Sequence, residues 1–291
     1  MVSPHQTRSP TPATEIAVQD HLPVPDEPTN CRDTGWPCHD TCDVRHFELV
    51  RQCDVRGLLH CHTSYDGGVH GLREISETAI ALGLEYLGIT DRIRPGLHGE
   101  GLSPAAVARQ REEIEAINAG NPNFRLLHGA EIETEPDGSL PVDETSLSKF
   151  DYVVATLATD HGQDPETLTR RAVRAVMNPY VSILGHPFGD YMTMPGEMPL
   201  DLETVLQAAA QAQVAIEIDA IPVHREPDWR NCVRAQELGV QLVIASDVHR
   251  AARLGDYRHG AELTRHAGLC CRQILNTQGI DELLGFFRRT A

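Results

Sequence analysis

Side chains that commonly bind metal ions stand at the ends of successive predicted β-strands. The first such strand closes on His60 and His62, which lie two residues apart. Because side chains alternate along a strand, both imidazoles would face the same way. Five later strand ends each supply a histidine or a carboxylate, within the segments Thr90-Asp91-Arg92, Gly129-Ala130-Glu131-Ile132-Glu133, Gly185-His186-Pro187, Glu217-Ile218-Asp219 and Ser246-Asp247-Val248-His249. Two imidazoles with carboxylates from other strands form a donor set that suits Zn, Mn or Fe.

This pattern has a plain structural alternative. A single His-x-His pair is weak, because a buried histidine more often only makes hydrogen bonds within a core. Six strand ends that all carry His, Asp or Glu are, however, hard to obtain by chance. The sequence therefore predicts a metal centre rather than isolated core histidines.

The elements that must position these residues alternate along the chain from Arg56 onward. Short apolar runs such as Glu85–Thr90 and Phe124–Ile132 are separated by segments of helical spacing such as Pro104–Asn118. This alternation predicts the α/β class and a single parallel (β/α) barrel. In such a barrel the C-terminal ends of the strands converge on one mouth, where active sites lie.

Residues 1–50 differ from the rest, because prolines interrupt them and no periodicity is sustained. We expect an irregular N-terminal arm over 1–50 and a barrel domain over 51–291. The arm contains several potential metal ligands, namely Cys31, Cys38, His39, Cys42 and His46, with Cys53 just beyond. A small zinc knot and unpaired cysteines are both open, but no standard C-x-x-C pair occurs, which favours unpaired cysteines.

The net charge of −17, with Lys149 as the single lysine, argues against binding to nucleic acid or to anionic membranes. No apolar run approaches the roughly 18 residues of a membrane-spanning helix, and the N-terminus lacks a signal pattern. We therefore expect a cytoplasmic protein that acts on a small molecule. The sequence does not indicate an oligomeric state.

The order of the motifs resembles the PHP (polymerase and histidinol phosphatase) family of metal-dependent hydrolases. It is most like the PHP domain of bacterial family X DNA polymerases, over Arg56 to Arg289. The matching motifs include Leu59-His60-Cys61-His62-Thr63, Gly88-Ile89-Thr90-Asp91, Ile183-Leu184-Gly185-His186-Pro187 and Ala245-Ser246-Asp247-Val248-His249. The resemblance implies a distorted (β/α)7 TIM-like barrel that binds three metals and hydrolyses phosphoesters.

The resemblance also implies a ligand set for each metal. The first metal would be held by His60, His62, Glu131 and Asp247. Glu131 would bridge to a second metal bound by His186. The third metal would be served by Asp66 and His249.

Two family ligands are replaced in this chain, a third-site histidine by Arg92 and a second-site histidine by Ala158. His161 is near enough in sequence to stand in at the second site, and His70 and His98 at the third. Because metal affinity depends on ligand number and geometry, we expect one complete site and two incomplete ones.

A divalent metal held there would lower the pKa of a bound water, and Asp247 or Asp66 could accept its proton. Arg92 has two open interpretations. It could clamp a phosphate or carboxylate, or it could fill the vacated metal position as an ion pair with Asp66 or Asp91. His98 and His161 are further candidates for substrate binding.

The leading hypothesis is a phosphoesterase acting on a small phosphorylated metabolite. The alternatives are a mononuclear amidohydrolase-like enzyme that cleaves C–N bonds, or a specialised biosynthetic enzyme. A metal-binding barrel without catalysis is disfavoured by the complete first ligand set.

Overall fold

The computed structural model describes residues 49–93, 101–157, 163–187, 200–220 and 229–288. Of the predicted arm, only Leu49 and Val50 fall within these ranges. Leu49 forms an antiparallel bridge with Cys270, and Val50 N donates to Leu269 O at 3.1 Å. The cysteines and histidines of the arm lie outside the described residues, so its nature and the boundary at 50 remain predictions.

Seven parallel strands pair in the order of the chain within the described residues. Their bounds are β1 Gly57–Leu58, β2 Tyr86–Ile89, β3 Arg125–Thr134, β4 Tyr152–Leu157, β5 Ile183–Gly185, β6 Ala215–Asp219 and β7 Leu242–Ala245. Nearly every strand side chain of assigned burial is buried. This explains why the strands read as continuous apolar runs rather than as alternating ones.

Helices return the chain between the strands. Their bounds are α1 Leu72–Ala81, α2 Pro104–Gly120, α3 Glu144–Leu147, α4 Pro165–Val176, α5 Leu202–Ala212, α6 Trp229–Glu237, α7 Tyr257–His266 and α8 Ile280–Phe287. Ser103, Asp164 and Asp201 cap α2, α4 and α5 by accepting a hydrogen bond from the backbone N–H three residues later. In the described part of the chain, no helix is long and apolar enough to cross a membrane.

A separate apolar cluster fills the inside of the barrel. It consists of Leu59, Tyr86, Leu127, Tyr152, Val154, Ile183, Ala215, Val243, Leu275, Leu283 and Phe287. Helix α8 contributes Phe287, whose ring stacks on Tyr152 at 4.7 Å. The Tyr152 hydroxyl donates to Leu59 O at 2.6 Å. A Cβ at Gly88 or Gly129 would collide with the Tyr152 ring, so these two glycines make room for it.

The seam between β7 and β1 is closed in two places. Near the mouth, Cys61 and Val248 form a parallel bridge just beyond the ends of the two strands. Deeper in the barrel, the Asn276 side chain donates to Gly57 O and Ile244 O at 3.0 Å and accepts from Ile244 N at 2.6 Å. One side-chain amide thus replaces part of the missing strand ladder.

The predicted barrel is confirmed, with two local differences. The strand predicted to end at His60 and His62 stops as a regular strand at Leu58, and beyond it the Thr90 side chain accepts a hydrogen bond from Cys61 N at 3.0 Å. Helix α3 was not predicted, because a single turn is too short for apolar periodicity to reveal.

Candidate metal centre

The β7–β1 seam brings the predicted ligands of two distant segments together. Val248 N donates to His60 O at 3.2 Å, and His62 N donates to Val248 O at 2.8 Å. His60 and His62 therefore flank Val248 and lie beside Asp247 and His249, although nearly 190 residues separate the two segments. Parallel pairing aligns equivalent strand ends, which is why the ligand-bearing residues meet at one mouth.

Four of the predicted ligands, His60, His62, Glu131 and Asp247, form a tight group that we call the metal-site cluster. His62 Nε2 lies 3.0 Å from Asp247 Oδ1 and 3.3 Å from Glu131 Oε2. His60 Nε2 lies 3.6 Å and 3.8 Å from the same two oxygens. All four atoms are buried, and none makes a hydrogen bond to the described residues.

The metal-site cluster fits a divalent metal. Buried polar atoms almost always have hydrogen-bond partners, so four neighbouring buried atoms without a hydrogen bond to the described residues indicate a site for an ion. Ligands about 2.0–2.2 Å from a tetrahedral metal lie about 3.3 Å from one another, close to the spacing seen here. Two nitrogen and two oxygen donors suit Zn, Mn or Fe and do not select among them.

Two residues around the metal-site cluster orient its members. Glu217 is buried, and its Oε1 lies 2.7 Å from His60 Nδ1, which turns Nε2 toward the cluster. Thr156 Oγ1 donates to Glu131 Oε1 at 3.0 Å and leaves Oε2 for the cluster. Such outer contacts fix the orientation of ligands and raise metal affinity. Glu217 was visible as a strand-end residue, but its sequence position alone did not reveal this role.

Asp91 lies behind His62 and is held by hydrogen bonds. It accepts from Thr63 N at 2.7 Å, from Thr63 Oγ1 at 2.5 Å and from Gln110 Nε2 at 2.5 Å. The Gln110 Oε1 atom in turn lies 2.9 Å from His128 Nε2. This buried network joins helix α2 to the loop that follows β1, and sequence reasoning missed it because its members lie on four separate segments of the chain.

The backbone is in the left-handed region at two predicted ligand positions. His186 has φ of 51° and Asp247 has φ of 39°, although neither is glycine. Non-glycine residues adopt this conformation at a cost of about 1–3 kcal/mol, and such residues are concentrated at functional sites. The strain at both positions turns the chain at the end of β5 and just after β7, where these side chains reach the mouth.

The charges of the metal-site cluster shift its pKa values in opposite directions. Burial disfavours the charged form of His62, but Asp247, Asp66 and Glu131 outweigh burial and raise its pKa to about 9. Burial likewise opposes protonation of His60, yet Glu217 and its neighbours raise that pKa well above its ordinary value. Burial favours the neutral form of Glu131, but His60 and the other cations lower its pKa to about 2. The cluster therefore attracts positive charge, as protons or as a metal ion.

The adjoining part of the mouth, which we call the arginine sector, consists of Asp66, Asp91 and Arg92. Arg92 N donates to Asp66 Oδ2 at 3.0 Å, and its Nη1 lies 3.8 Å from the same oxygen. Arg92 Nε lies 3.0 Å from Glu131 Oε2 as an ion pair, without the alignment of a hydrogen bond. Of the two predicted interpretations of Arg92, the ion pair with Asp66 is present in the structure. The partner Glu131 was not predicted, and Asp91 instead faces Thr63 and Gln110.

The remaining predicted ligands lie around the metal-site cluster. His186 groups with His60 and Asp247, and its ring centre lies 5.1 Å from that of His60. His249 stacks on His62 at 4.3 Å and groups with His62 and Asp247. Asp66 groups with His62 and Asp91. The groups among the described residues place His186 and His249 each with Asp247, and Asp66 with Asp91, and the ligand sets of the second and third metals stay predictions.

The proposed stand-in ligands have different outcomes. His70 Nδ1 accepts from Ala251 N at 3.2 Å, and its Nε2 lies 3.6 Å from Glu74 on α1. These contacts tie His70 to the segment after His249 and to α1, and it joins no metal-binding group in the described part of the chain. Ala158, His98 and His161 lie outside the described residues.

The chain is similar in sequence to a DNA polymerase/exonuclease and to several probable phosphatases. No family model matches the chain. It is 29% identical over 269 residues to the DNA polymerase/3'-5' exonuclease PolX of Bacillus subtilis (strain 168), covering 92% of this chain and 47% of that protein. It is 28% identical over 229 residues to a probable phosphatase of Thermoanaerobacter sp. (strain X514), covering 75% of this chain and 89% of that protein. The chain thus spans about half of the first relative and most of the second.

The fold is also seen among solved structures. One of them is the histidinol phosphate phosphatase of Lactococcus lactis subsp. lactis Il1403, complexed with zinc, L-histidinol and phosphate. The TM-score is 0.55 at 18% identity, over 74% of this chain and 94% of that chain. The relatives together indicate that the chain is a hydrolase. They also confirm the predicted resemblance to the PHP family.

Proposed function

We propose that the protein is a metal-dependent phosphoesterase whose substrate is a small phosphorylated molecule. The observation that carries the proposal is the metal-site cluster, in which the Nε2 atoms of His60 and His62 each lie 3.0–3.8 Å from an oxygen of Glu131 and of Asp247, and none of these four buried atoms makes a hydrogen bond to the described residues. The similarity to a protein named a probable phosphatase, over most of that protein's length, supports the same class of reaction.

His60, His62, Glu131 and Asp247 would hold the metal. When bound there, a divalent metal polarises a phosphoryl oxygen and lowers the pKa of a coordinated water. The protein's own contribution is orientation, because Glu217 fixes the His60 ring and Thr156 fixes the Glu131 carboxylate.

The attacking water must lose a proton, and Asp247 and Asp66 are the proposed acceptors. Asp247 is the better placed of the two, because its side chain is 22% exposed at the mouth while Oδ1 stays buried in the cluster. Asp66 is only 11% exposed, and its Oδ2 already accepts the backbone N–H of Arg92.

Binding of the substrate phosphate falls to the cationic and polar groups at the mouth. The Arg92 side chain is 32% exposed, so N–H groups that do not face Glu131 or Asp66 remain for a phosphate oxygen. His249 is partly exposed beside Asp247, at 3.4 Å from Nδ1 to Oδ1, and can contact the same phosphate. His98 and His161 stay proposed substrate contacts outside the described residues.

The charge of the chain favours a small substrate over a polynucleotide. Proteins that hold single-stranded DNA line a groove with basic and aromatic side chains. This chain has a net charge of −17, and the described mouth is rich in carboxylates. Because the first relative is named an exonuclease, nuclease activity belongs among the outcomes of the test.

The test pairs metal analysis with a substrate panel. The purified protein is assayed with small phosphate monoesters, with a single-stranded oligonucleotide and with amides, before and after chelation and metal return. We expect at least one bound equivalent of metal and turnover of phosphate monoesters that chelation abolishes. Turnover of amides alone would favour the C–N hydrolase, degradation of the oligonucleotide alone would favour a nuclease, and less than one equivalent of metal would overturn the proposal.

A further inference from the structure

Arg92 occupies a place in the mouth that is otherwise surrounded by negative charge. The residue pairs with Glu131 in an isolated parallel bridge, so the register of β3 fixes its backbone. From there its Nε lies 3.0 Å from Glu131 Oε2 and its Nη1 lies 3.8 Å from Asp66 Oδ2. The guanidinium therefore contacts one carboxylate of the metal-site cluster and one outside it.

These contacts engage the two carboxylate oxygens that a metal ion in the arginine sector would need as ligands. Glu131 Oε1 accepts from Thr156, so Oε2 is the oxygen left for both the metal-site cluster and Arg92. Asp66 Oδ2 is shared between the backbone N–H and the guanidinium of Arg92. Two carboxylates that face each other across a site repel unless a positive charge lies between them.

The carboxylate of Asp66, which the guanidinium contacts, also belongs to a further group of potential ligand atoms. His62, Asp66 and Asp91 each offer an atom within 4.8 Å of the others. His62 Nδ1 is buried, makes no hydrogen bond to the described residues and lies 3.7 Å from Asp66 Oδ2. Potential metal ligands are thus present here, and the positive charge beside them is the guanidinium of Arg92.

We propose that Arg92 is a built-in cation that limits the number of metal ions at the mouth. Its guanidinium neutralises Asp66 and the outer side of Glu131, and so excludes a metal ion from the arginine sector while leaving the metal-site cluster open. This inference rests on the proposed function, since it concerns the same metal centre. By this proposal, the presence of arginine where the resembled family has histidine changes the number of metal ions that the mouth binds.

The experiment measures bound metal rather than activity. Wild type, Arg92→Ala, Arg92→Gln and Arg92→Lys are stripped with chelator, titrated with Mn²⁺ in a calorimeter and analysed for retained metal by mass spectrometry. We expect Arg92→Ala and Arg92→Gln to bind one more equivalent than wild type, because the oxygens of Asp66 and Glu131 are released. Arg92→Lys, which keeps the charge, should bind the same number as wild type.

A matched control removes a positive charge elsewhere. Arg170 forms an exposed ion pair with Glu166 at 2.7 Å on α4, so Arg170→Ala changes the net charge equally without touching the mouth. We expect this variant to keep the wild-type stoichiometry. An extra equivalent in Arg170→Ala would show that overall charge, and not the position of Arg92, sets the number.

The two proposals fail in different ways. If wild type binds metal and hydrolyses phosphate monoesters, but neither neutral variant of Arg92 gains an equivalent, only this inference is overturned. If wild type binds no metal, the proposed function falls first. Thermal unfolding of each metal-free variant establishes that it is folded, and a single folded neutral variant suffices, because Ala and Gln remove the same charge.

Discussion

Two neighbouring parts of the barrel mouth both contain buried carboxylates, but the polar atoms of the two parts differ in whether they have hydrogen-bond partners. In the metal-site cluster, four buried donor atoms face one another without hydrogen bonds to the described residues. In the arginine sector, Thr63 and Gln110 donate to Asp91, and Asp66 accepts from the backbone of Arg92.

The difference identifies which carboxylates serve structure and which await a ligand. A buried carboxylate with several donors is already compensated, and replacing it changes folding. Buried donor atoms without partners cost free energy unless something binds to them. The same residue types therefore lead to opposite expectations for mutation, and four experiments test this difference.

The largest effect is expected for the histidines of the metal-site cluster. His60→Ala or His62→Ala removes one of four ligands, and should lower metal affinity and turnover by more than the roughly 10–100-fold typical of outer-shell changes. Metal content and kcat/KM report the loss, while circular dichroism checks that the fold persists. His266→Ala, on the exposed end of α7, is the matched control and should behave as wild type. Full metal content in His60→Ala would refute the assignment of the cluster.

The next largest effect is expected for the carboxylate behind His60. Glu217→Gln keeps the size of the side chain but removes the charge that faces His60 Nδ1 at 2.7 Å. We expect metal affinity to fall about 10–100-fold, because the His60 ring is less well oriented and less basic. Calorimetric titration with Mn²⁺ measures the change, with Glu203→Gln on the surface of α5 as control. An unchanged affinity would mean that Glu217 has no positioning role.

A different kind of effect is expected in the network behind the arginine sector. Gln110→Ala removes a donor to Asp91 and a partner of His128, both of which are buried. We expect a loss of about 1–3 kcal/mol in the free energy of unfolding, with metal content unchanged. Chemical denaturation gives the first quantity and metal analysis the second. A loss of metal without a loss of stability would contradict the view that the network around Asp91 serves folding rather than metal binding.

The smallest effect is a dependence of metal stabilisation on pH. In the metal-free protein, the raised pKa of His62 contributes stability that is fully present below 6.5 and lost as pH rises toward about 9. Metal binding needs the neutral imidazole and therefore strengthens over the same range. The increase in Tm on adding Mn²⁺ should thus grow between pH 6.5 and about 9.

Thermal scans with chelator and with Mn²⁺ measure this trend. For a chain of this size, about 1 kcal/mol corresponds to roughly 2–4 °C in Tm. In the scans with chelator, His62→Gln, which cannot titrate, should flatten the pH dependence of Tm. A metal-induced increase in Tm that shrinks as pH rises would contradict the expected linkage between metal and protons.

The sequence predicts the positions of these groups better than their partners. Strand-end positions such as His60, Glu131 and Asp247 were identified because parallel strands bring their C-terminal ends to one mouth. The contact of Arg92 with Glu131 was not predicted, because it depends on the register between two chain segments and on a side-chain rotamer. The stand-in role of His70 rested on sequence proximity alone, and its contact with Ala251 N points it elsewhere.

The outer contacts were the hardest to foresee. From the sequence, Gln110 is a polar residue of a predicted helix and His128 a histidine of a predicted strand. No sequence pattern links either residue to Asp91. Only the packing of α2 against β3 brings them together. Residues that act through another side chain have no spacing of their own, so their roles emerge only in three dimensions.

The amide of Asn276 has a consequence for how this chain is made. All seven strands precede residue 276 in the sequence, so β1 and β7 are synthesised before the side chain that joins them. Until then, deeper in the barrel, Gly57 O and the backbone of Ile244 lack the partner that joins them, and β1 and β7 remain open edges. Open edges invite pairing with other chains. The barrel therefore closes at this level only after the segment that carries Asn276 has left the ribosome and packed against β1 and β7.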